Sequence, residues 1–187
     1  VDILRGDSPV QKNLIDFGLY LTFFPQITAG PIVRYRDFAP QLKNHAVTLQ
    51  KVSHGLTRFG IGLFKKVLIA DLLAQISARV QFYGEPSALA AWIGALAFTF
   101  EIYFDFSGYS DMAIGLSEVF GFETPENFLH PYESLSVSKF WRRWHVTLGA
   151  WVRAVSYTHP RAHESGINLV CRPLHQKKKN TIKNIPH

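Results

Sequence analysis

Residues Phe140 to Trp151 read FWRRWHVTLGAW, three tryptophans and a phenylalanine around two arginines and one histidine. A neutral imidazole can take a proton from a hydroxyl group, and both burial and nearby positive charge favour the neutral form. On an uninterrupted helix, Trp141, His145 and Leu148 share one side, Trp144 and Trp151 share a neighbouring one, and Arg142 lies one turn before His145. Two readings of His145 stand at this point. It is a proton acceptor facing a helix bundle beside Arg142 and Arg143, or it is a packed polar residue on a helix moored by its aromatic neighbours at a membrane surface.

The second set of chemically capable residues is acidic: Glu101, Asp105 and Asp111, in FEIYFDFSGYSD. Glu101 and Asp105 are one helical turn apart and share a face. An ionised carboxylate among Phe, Tyr and Ile is costly in hydrocarbon, so this face meets a polar interior or the membrane boundary. Asp105, Ser107, Ser110 and Asp111 supply oxygen ligands or a hydroxyl nucleophile, but neither calcium-loop spacing nor a nucleophile elbow is present. A turn whose serines satisfy nearby backbone groups accounts for the segment, and no metal is expected. His130 and His145 are too loosely spaced for a zinc pair, and no glycine-rich phosphate cradle or dinucleotide fingerprint occurs.

The elements that must position these residues are apolar. Charged residues are 18% of the 187-residue chain, against roughly 25% in soluble domains, and aromatic residues reach 14%. Ala88 to Phe104 contains one charge, Glu101, in about 17 residues, enough to span a bilayer with favourable ends. Leu14 to Val33 is also apolar, but Pro25 predicts a break near Phe24, and Gly30 with Pro31 predicts a turn. Val33 to Asn44 reads as interfacial chain or a surface loop. A helix is predicted from near Thr48, with Lys65 and Lys66 placed at an interface or against protein and water, because lipid would not tolerate them. Another begins at Ser136, or at Ser134 one turn earlier. The predicted fold class is an all-α, polytopic membrane helix bundle.

Charge distribution excludes a nucleic-acid partner. Residues 1–150 carry 13 basic and 13 acidic side chains, while 151–187 carry seven against one, so the net +6 belongs to the tail. No recognition helix, zinc knuckle or stacking module accompanies the basic run at Lys177 to Lys179. Cys171, the single cysteine, has no internal disulfide partner. The N-terminal VDILRGDSPVQKN has neither an initiator methionine nor the pattern of a signal peptide, and the chain reads as a fragment.

Four stretches together resemble the membrane-bound O-acyltransferase (MBOAT) family, in its bacterial alginate and polysaccharide O-acetyltransferase branch: FFPQITAGPIVRYRDFAPQL, GLFKKVLIADLLA, YFDFSGYSDMAIGLSEVFGFETPENFLHPY and FWRRWHVTL. The resemblance covers about Asp16 to Trp151, with the motifs in family order. It implies a partial MBOAT fold in a multi-pass protein of the bacterial inner membrane, moving an acetyl group onto polysaccharide hydroxyls. The implied partners are membrane lipid and a polysaccharide acceptor, served by periplasmic or secreted acetylation proteins. The implied cosubstrate is an acetyl donor, with acetyl-CoA a candidate, and no cofactor is bound. The family's tryptophan-rich histidine matches His145, with Arg142, Arg143, Glu101, Asp105 and Asp111 as supporting polar or tunnel residues. A second family histidine, on a later helix, has no match, so the fragment is expected to be inactive. The likeness ends after LGAW, giving an expected division into a partial acyltransferase domain, 1–153, and a non-family or frameshifted basic tail, 154–187. No chemistry is assigned to His159, His163, His175 or Cys171. Teichoic acid or peptidoglycan as acceptor, and a non-catalytic membrane scaffold or transporter fragment, remain as alternative readings.

Overall fold

The Thr48 side chain accepts a hydrogen bond from the Lys51 amide and caps a helix that runs from Leu49 to Phe64 (α4). That helix passes through a π-helical turn, Lys65–Ala70, into α5, Asp71–Phe82. Ser87 caps the returning helix in the same way, and α6 then runs unbroken from Ala88 to Val119. Its 32 residues reach about 48 Å, more than a hydrocarbon core requires. The two long rods lie antiparallel and form the centre of an all-α structure. The computed structural model describes residues 13–27, 30–82 and 87–156. The N-terminal residues 1–12, read as lacking a signal-peptide pattern, and the basic tail with Cys171, His159, His163 and His175 lie outside the described residues, whereas Ala154 falls inside α8, Val146–Ser156.

Glycine sets the separation of the rods. A Cβ on Gly55 would lie 2.5 Å from the Gly115 carbonyl oxygen, and one on Gly62 would lie 2.5 Å from the Gly108 carbonyl oxygen. The same geometry holds from the other side, where a Cβ on Gly108 meets the Gly62 oxygen at 2.7 Å. Where hydrocarbon replaces water as solvent, apolar burial no longer draws helices together, and close backbone packing at small residues takes its place. Among the described residues, α6 is the one helix long and apolar enough to cross a membrane.

Shorter elements wrap one end of this hairpin. The expected break at Pro25 is present: α1 covers Leu14–Thr22, Phe23 is extended, and α2 covers only Phe24–Ile27. Two other expectations are corrected. The stretch read as interfacial chain or loop forms α3, Tyr35–Asn44, because Phe38 on its inner face is wholly buried against Phe23 and Phe122. The turn expected at FSGYSD is absent, since these residues are mid-helix in α6, where Ser107, Gly108 and Ser110 are buried. Small residues there serve close packing. The α6 end has a Gly121 at φ 85° and a Phe122 amide returning to the Ser117 carbonyl at 2.9 Å, a left-handed helix stop that glycine adopts without strain. A polar connector follows, with a 3-10 turn at Pro131–Glu133, leading to α7, Val137–Arg143, and α8.

The glycine contacts give a direct test. Gly62→Ala should destabilise the protein by about 1–3 kcal/mol, because the new methyl meets backbone and Met112 atoms that cannot all move. Gly60→Ala, where nothing lies within 4 Å, should be neutral or stabilising. Thermal unfolding in detergent distinguishes the two.

Candidate active site

The helix expected through FWRRWHVTLGAW is two helices. Ser136 caps α7 as predicted, accepting from the Lys139 amide, but α7 ends at Arg143 and α8 begins at Val146. His145 occupies the bend with φ 44°, a left-handed conformation uncommon for residues other than glycine, though less so for histidine. Backbone strain of this kind persists only where the surroundings hold it. They do so here: the Val146 amide donates to the Asn127 carbonyl at 2.9 Å, and the Leu129 amide donates to the Arg143 carbonyl at 2.9 Å. These bonds lay the connector along the bend.

Aromatic packing fixes the same region. Trp144 packs edge-on against Phe128 at 5.0 Å and is stacked with Phe140 at 5.6 Å, with Tyr103 of α6 at 6.1 Å. The tryptophans therefore divide: Trp144 turns into the protein, whereas Trp141 and Trp151 are exposed and available to an interface. The Phe106 ring meets the imidazole edge-on at 4.9 Å. Breaking the helix at His145 also changes the faces expected there: Trp141, Arg142 and Leu148, grouped with it by helical periodicity, are exposed, whereas His145 is half-buried.

The polar neighbours of His145 come from elsewhere in the chain. Its Nδ1 lies 2.7 Å from Asn127 Oδ1, which also accepts from the Thr147 hydroxyl at 2.9 Å. Asn127 Nδ2 donates to Ser110 Oγ on α6 at 3.0 Å, and the Ile32 amide donates to Thr147 Oγ1 at 3.1 Å. Asn127 is fully buried, Ser110 and Thr147 nearly so, and His145 half-buried. Burial draws the imidazole below its ordinary value of 6.5 by penalising the charged form. Arg34, from the segment before α3, donates to the Ala150 carbonyl at 2.7 Å and ties α8 to the N-terminal elements.

On the other side of Asn127 is a cavity of about 360 Å³, lined among others by Arg58, Lys65, Ser107, Asp111 and Glu126. Asp111 accepts from Arg58 at 3.0 Å and from Lys65 at 2.6 Å, and Arg58 also reaches Glu126. Two cations and two carboxylates thus satisfy one another within a partly dry wall. The Ser107 hydroxyl, buried and without a hydrogen-bond partner among the described residues, adds a free polar group to that wall.

The predicted site residues therefore separate into groups. His145 and Asp111 sit on opposite sides of the Asn127 node. Asp105 pairs instead with Lys66 at 2.5 Å, beside Asp71 at 3.0 Å. Glu101 is half-buried on α6 and makes no ion pair among the described residues. Arg142 is exposed, and Arg143 turns towards the His130 carbonyl at 3.4 Å and Glu133 at 3.9 Å. Neither arginine makes a hydrogen bond to the imidazole. Sequence reasoning named Ser110 only as a ligand or turn serine, and missed Asn127, Thr147, Arg58 and Glu126. The available signal was an asparagine in TPENFLHPY, a connector rich in proline that must be held rigidly by something.

The order of the motifs and the half-buried histidine at the tryptophan-rich one agree with the family likeness, and comparison with known proteins decides it. The family model of the membrane-bound O-acyltransferases matches residues 9–159. The chain belongs to the membrane-bound O-acyltransferase family. It is 50% identical over 174 residues to the probable alginate O-acetylase AlgI of Pseudomonas fluorescens, covering 93% of this chain and 35% of that protein. Similarity to the probable alginate O-acetylase AlgI of Pseudomonas syringae pv. tomato is 50% over 157 residues, 84% of this chain and 30% of that one. A peptidoglycan O-acetyltransferase of Helicobacter pylori is 42% identical over 151 residues, 78% of this chain and 28% of its own. The chain spans about a third of the length of these MBOAT relatives.

The ion cluster is testable without activity. Asp111→Ala leaves Arg58 and Lys65 without their shared carboxylate in surroundings where their side chains are 21% and 27% exposed, and should cost about 1–3 kcal/mol. Lys51→Ala breaks a pair whose partner Glu123 is 78% exposed and should cost under about 1 kcal/mol. Thermal unfolding of both variants in the same detergent checks the ranking.

Proposed function

We propose that this chain forms part of a membrane O-acyltransferase that transfers an acetyl group to the hydroxyls of an exopolysaccharide such as alginate, with His145 as the proton acceptor. The observation that carries this reading is the state of His145: half-buried, drawn towards its neutral form, and held through Nδ1 by a buried asparagine on a strained bend. A polysaccharide hydroxyl is a poor nucleophile until its proton has an acceptor. As the imidazole takes that proton, the hydroxyl oxygen bonds to the acyl carbonyl carbon. Collapse of the tetrahedral intermediate breaks the bond to the donor's leaving group, which recovers the proton from the imidazolium. The donor is a substrate with an activated acyl group, acetyl-CoA being the proposed candidate. The ion cluster at Asp111, with Arg58 and Lys65, contributes a polar wall at the site; Asp105 and Glu101 have supporting roles on α6.

Alginate is favoured as acceptor by the relatives at 50% identity, and peptidoglycan is the second reading, favoured by the Helicobacter pylori relative at 42%. Relatives named for different polymers share this segment, so it carries the transfer step in this reading and the acceptor is chosen elsewhere. Periplasmic or secreted acetylation proteins are the proposed partners, the inner membrane the proposed location, and a multi-pass bundle the proposed architecture. The 187-residue chain alone, a third of its relatives' length, is proposed to have no turnover.

In the full-length enzyme carrying this segment, His145→Ala should lower polymer acetylation by about 10²–10⁴-fold while membrane insertion persists. Acetyl content of the polymer is the measurement, and a value equal to the unmodified enzyme removes His145 from the mechanism. The pH dependence has a definite sign. The base works unprotonated and its pKa is lowered, so activity should hold as pH falls through 6.5 and be lost only below it. An acid limb centred above 6.5 contradicts the burial argument.

A further inference from the structure

Asn127 makes more directional contacts than any merely packed asparagine needs. It is fully buried, its amide nitrogen is used by Ser110, and its oxygen faces both Thr147 and His145. The direction of each bond can be worked out from one end. The Ile32 amide can only donate, so Thr147 Oγ1 accepts from it and has its own proton left to give. That proton needs an acceptor, and Asn127 Oδ1 at 2.9 Å is the one in place. Turning the amide over would set its NH₂ group against the threonine proton and remove the acceptor. With the oxygen fixed towards the ring, the 2.7 Å contact to Nδ1 is a hydrogen bond only if Nδ1 carries the hydrogen.

We propose that Asn127 is the positioning residue that holds His145 in its Nδ1–H tautomer, leaving Nε2 as the atom that receives the acceptor hydroxyl's proton. This rests on the acyl-transfer reading of His145 and adds to it which nitrogen reacts and what selects it. The chemistry of an amide matters here. A carboxylate in the same place would also orient the ring, but it would stabilise the imidazolium and raise the pKa of the base. The amide orients without charge. It also stays neutral through the cycle: the hydroxyl proton moves to Nε2, the new C–O bond forms, the bond to the donor breaks, and Nε2 returns the proton to the leaving group, while the Nδ1 hydrogen stays on Nδ1. Asn127 holds the backbone of the same bend through its carbonyl and the Val146 amide, so ring and main chain are registered together.

The charged groups on the elements packed around this node are already engaged. Arg34 is bound to the Ala150 carbonyl, Asp111 to Arg58 and Lys65, Glu126 to Arg58, and Arg143 to the His130 carbonyl and Glu133. A carboxylate introduced at 127 is therefore the one new charge against the imidazole.

The test compares pH profiles of polymer acetylation by the full-length enzyme carrying this segment, as wild type, Asn127→Asp, Asn127→Ala and His145→Ala, in membranes matched for inserted protein. Asn127→Asp is close to isosteric and should keep turnover, with its acid limb moved up by about one pH unit or more. Asn127→Ala should lose about 10–100-fold in kcat with little change in KM, since ring orientation and not substrate contact is lost. An Asn127→Asp acid limb that coincides with the wild type's would overturn the proposal and leave Asn127 a structural residue. Nitrogen-15 histidine spectra of the wild-type enzyme in lipid nanodiscs read the tautomer without any substitution at 127. His145 should be protonated at Nδ1 at neutral pH, and protonation at Nε2 overturns the assignment. If His145→Ala keeps wild-type acetyl content, the functional reading has failed, whatever Asn127 does.

Discussion

The close approach of α4 and α6 at paired glycines is the constraint on which the rest of this structure depends. Gly55 lies against Gly115 and Gly62 against Gly108, each pair so near that a methyl group would meet a carbonyl oxygen at 2.5–2.7 Å. Seven residues separate the glycines on each rod, two turns of helix, so one contact stripe serves both pairs. Only backbones this close allow short contacts between side chains beside the stripe. Asp105 and Asp111 fall on either side of Gly108 around α6, and Lys66 and Lys65 meet them there. The π-helical turn that begins at Lys65 adjusts the spacing of α4 at the same level. Charges that would be intolerable towards lipid thus become a clasp across a glycine seam.

How much of this was legible in the sequence depends on whether the controlling interaction was local. The helix start near Thr48, the Ser136 cap, the break at Pro25 and the apolar rod from Ala88 were read correctly, because each is set by neighbours within a turn or two. FSGYSD was misread as a turn for an instructive reason. Glycine and serine disfavour an isolated helix, but between close-packed rods their small size is what the contact requires, and packing overrides propensity. The Tyr35–Asn44 helix was missed similarly, since its stability comes from Phe38 burying against Phe23 and Phe122, the latter more than eighty residues away.

The site was half legible. His145 stood out by its company, but that company was misassigned: periodicity placed it on a continuous helix beside Arg142, whereas the bend at φ 44° turns it to Asn127. Asn127 itself lies 18 residues earlier, in a connector with no regular period to mark it. Its importance comes from four groups that converge only in three dimensions: Ser110 on α6, Thr147 on α8, the His145 ring, and the Val146 amide. No spacing rule on one segment can show such a convergence.

One stretch of α6 joins the clasp to the site. Within six residues, Phe106 meets the imidazole, Gly108 meets Gly62, Ser110 accepts from Asn127, and Asp111 binds Arg58 and Lys65. The imidazole is therefore referenced to the same helical turn that fixes the separation of the two rods. A displacement of α6 against α4 by even part of a residue would pull Ser110 from Asn127 and so release the amide that faces the ring. In a membrane protein, the side of a helix that faces fluid lipid offers no fixed partner from which the geometry of a proposed site could be taken. That geometry has to be taken from the most closely packed contact available, and here that contact is where two glycines leave no room for a side chain.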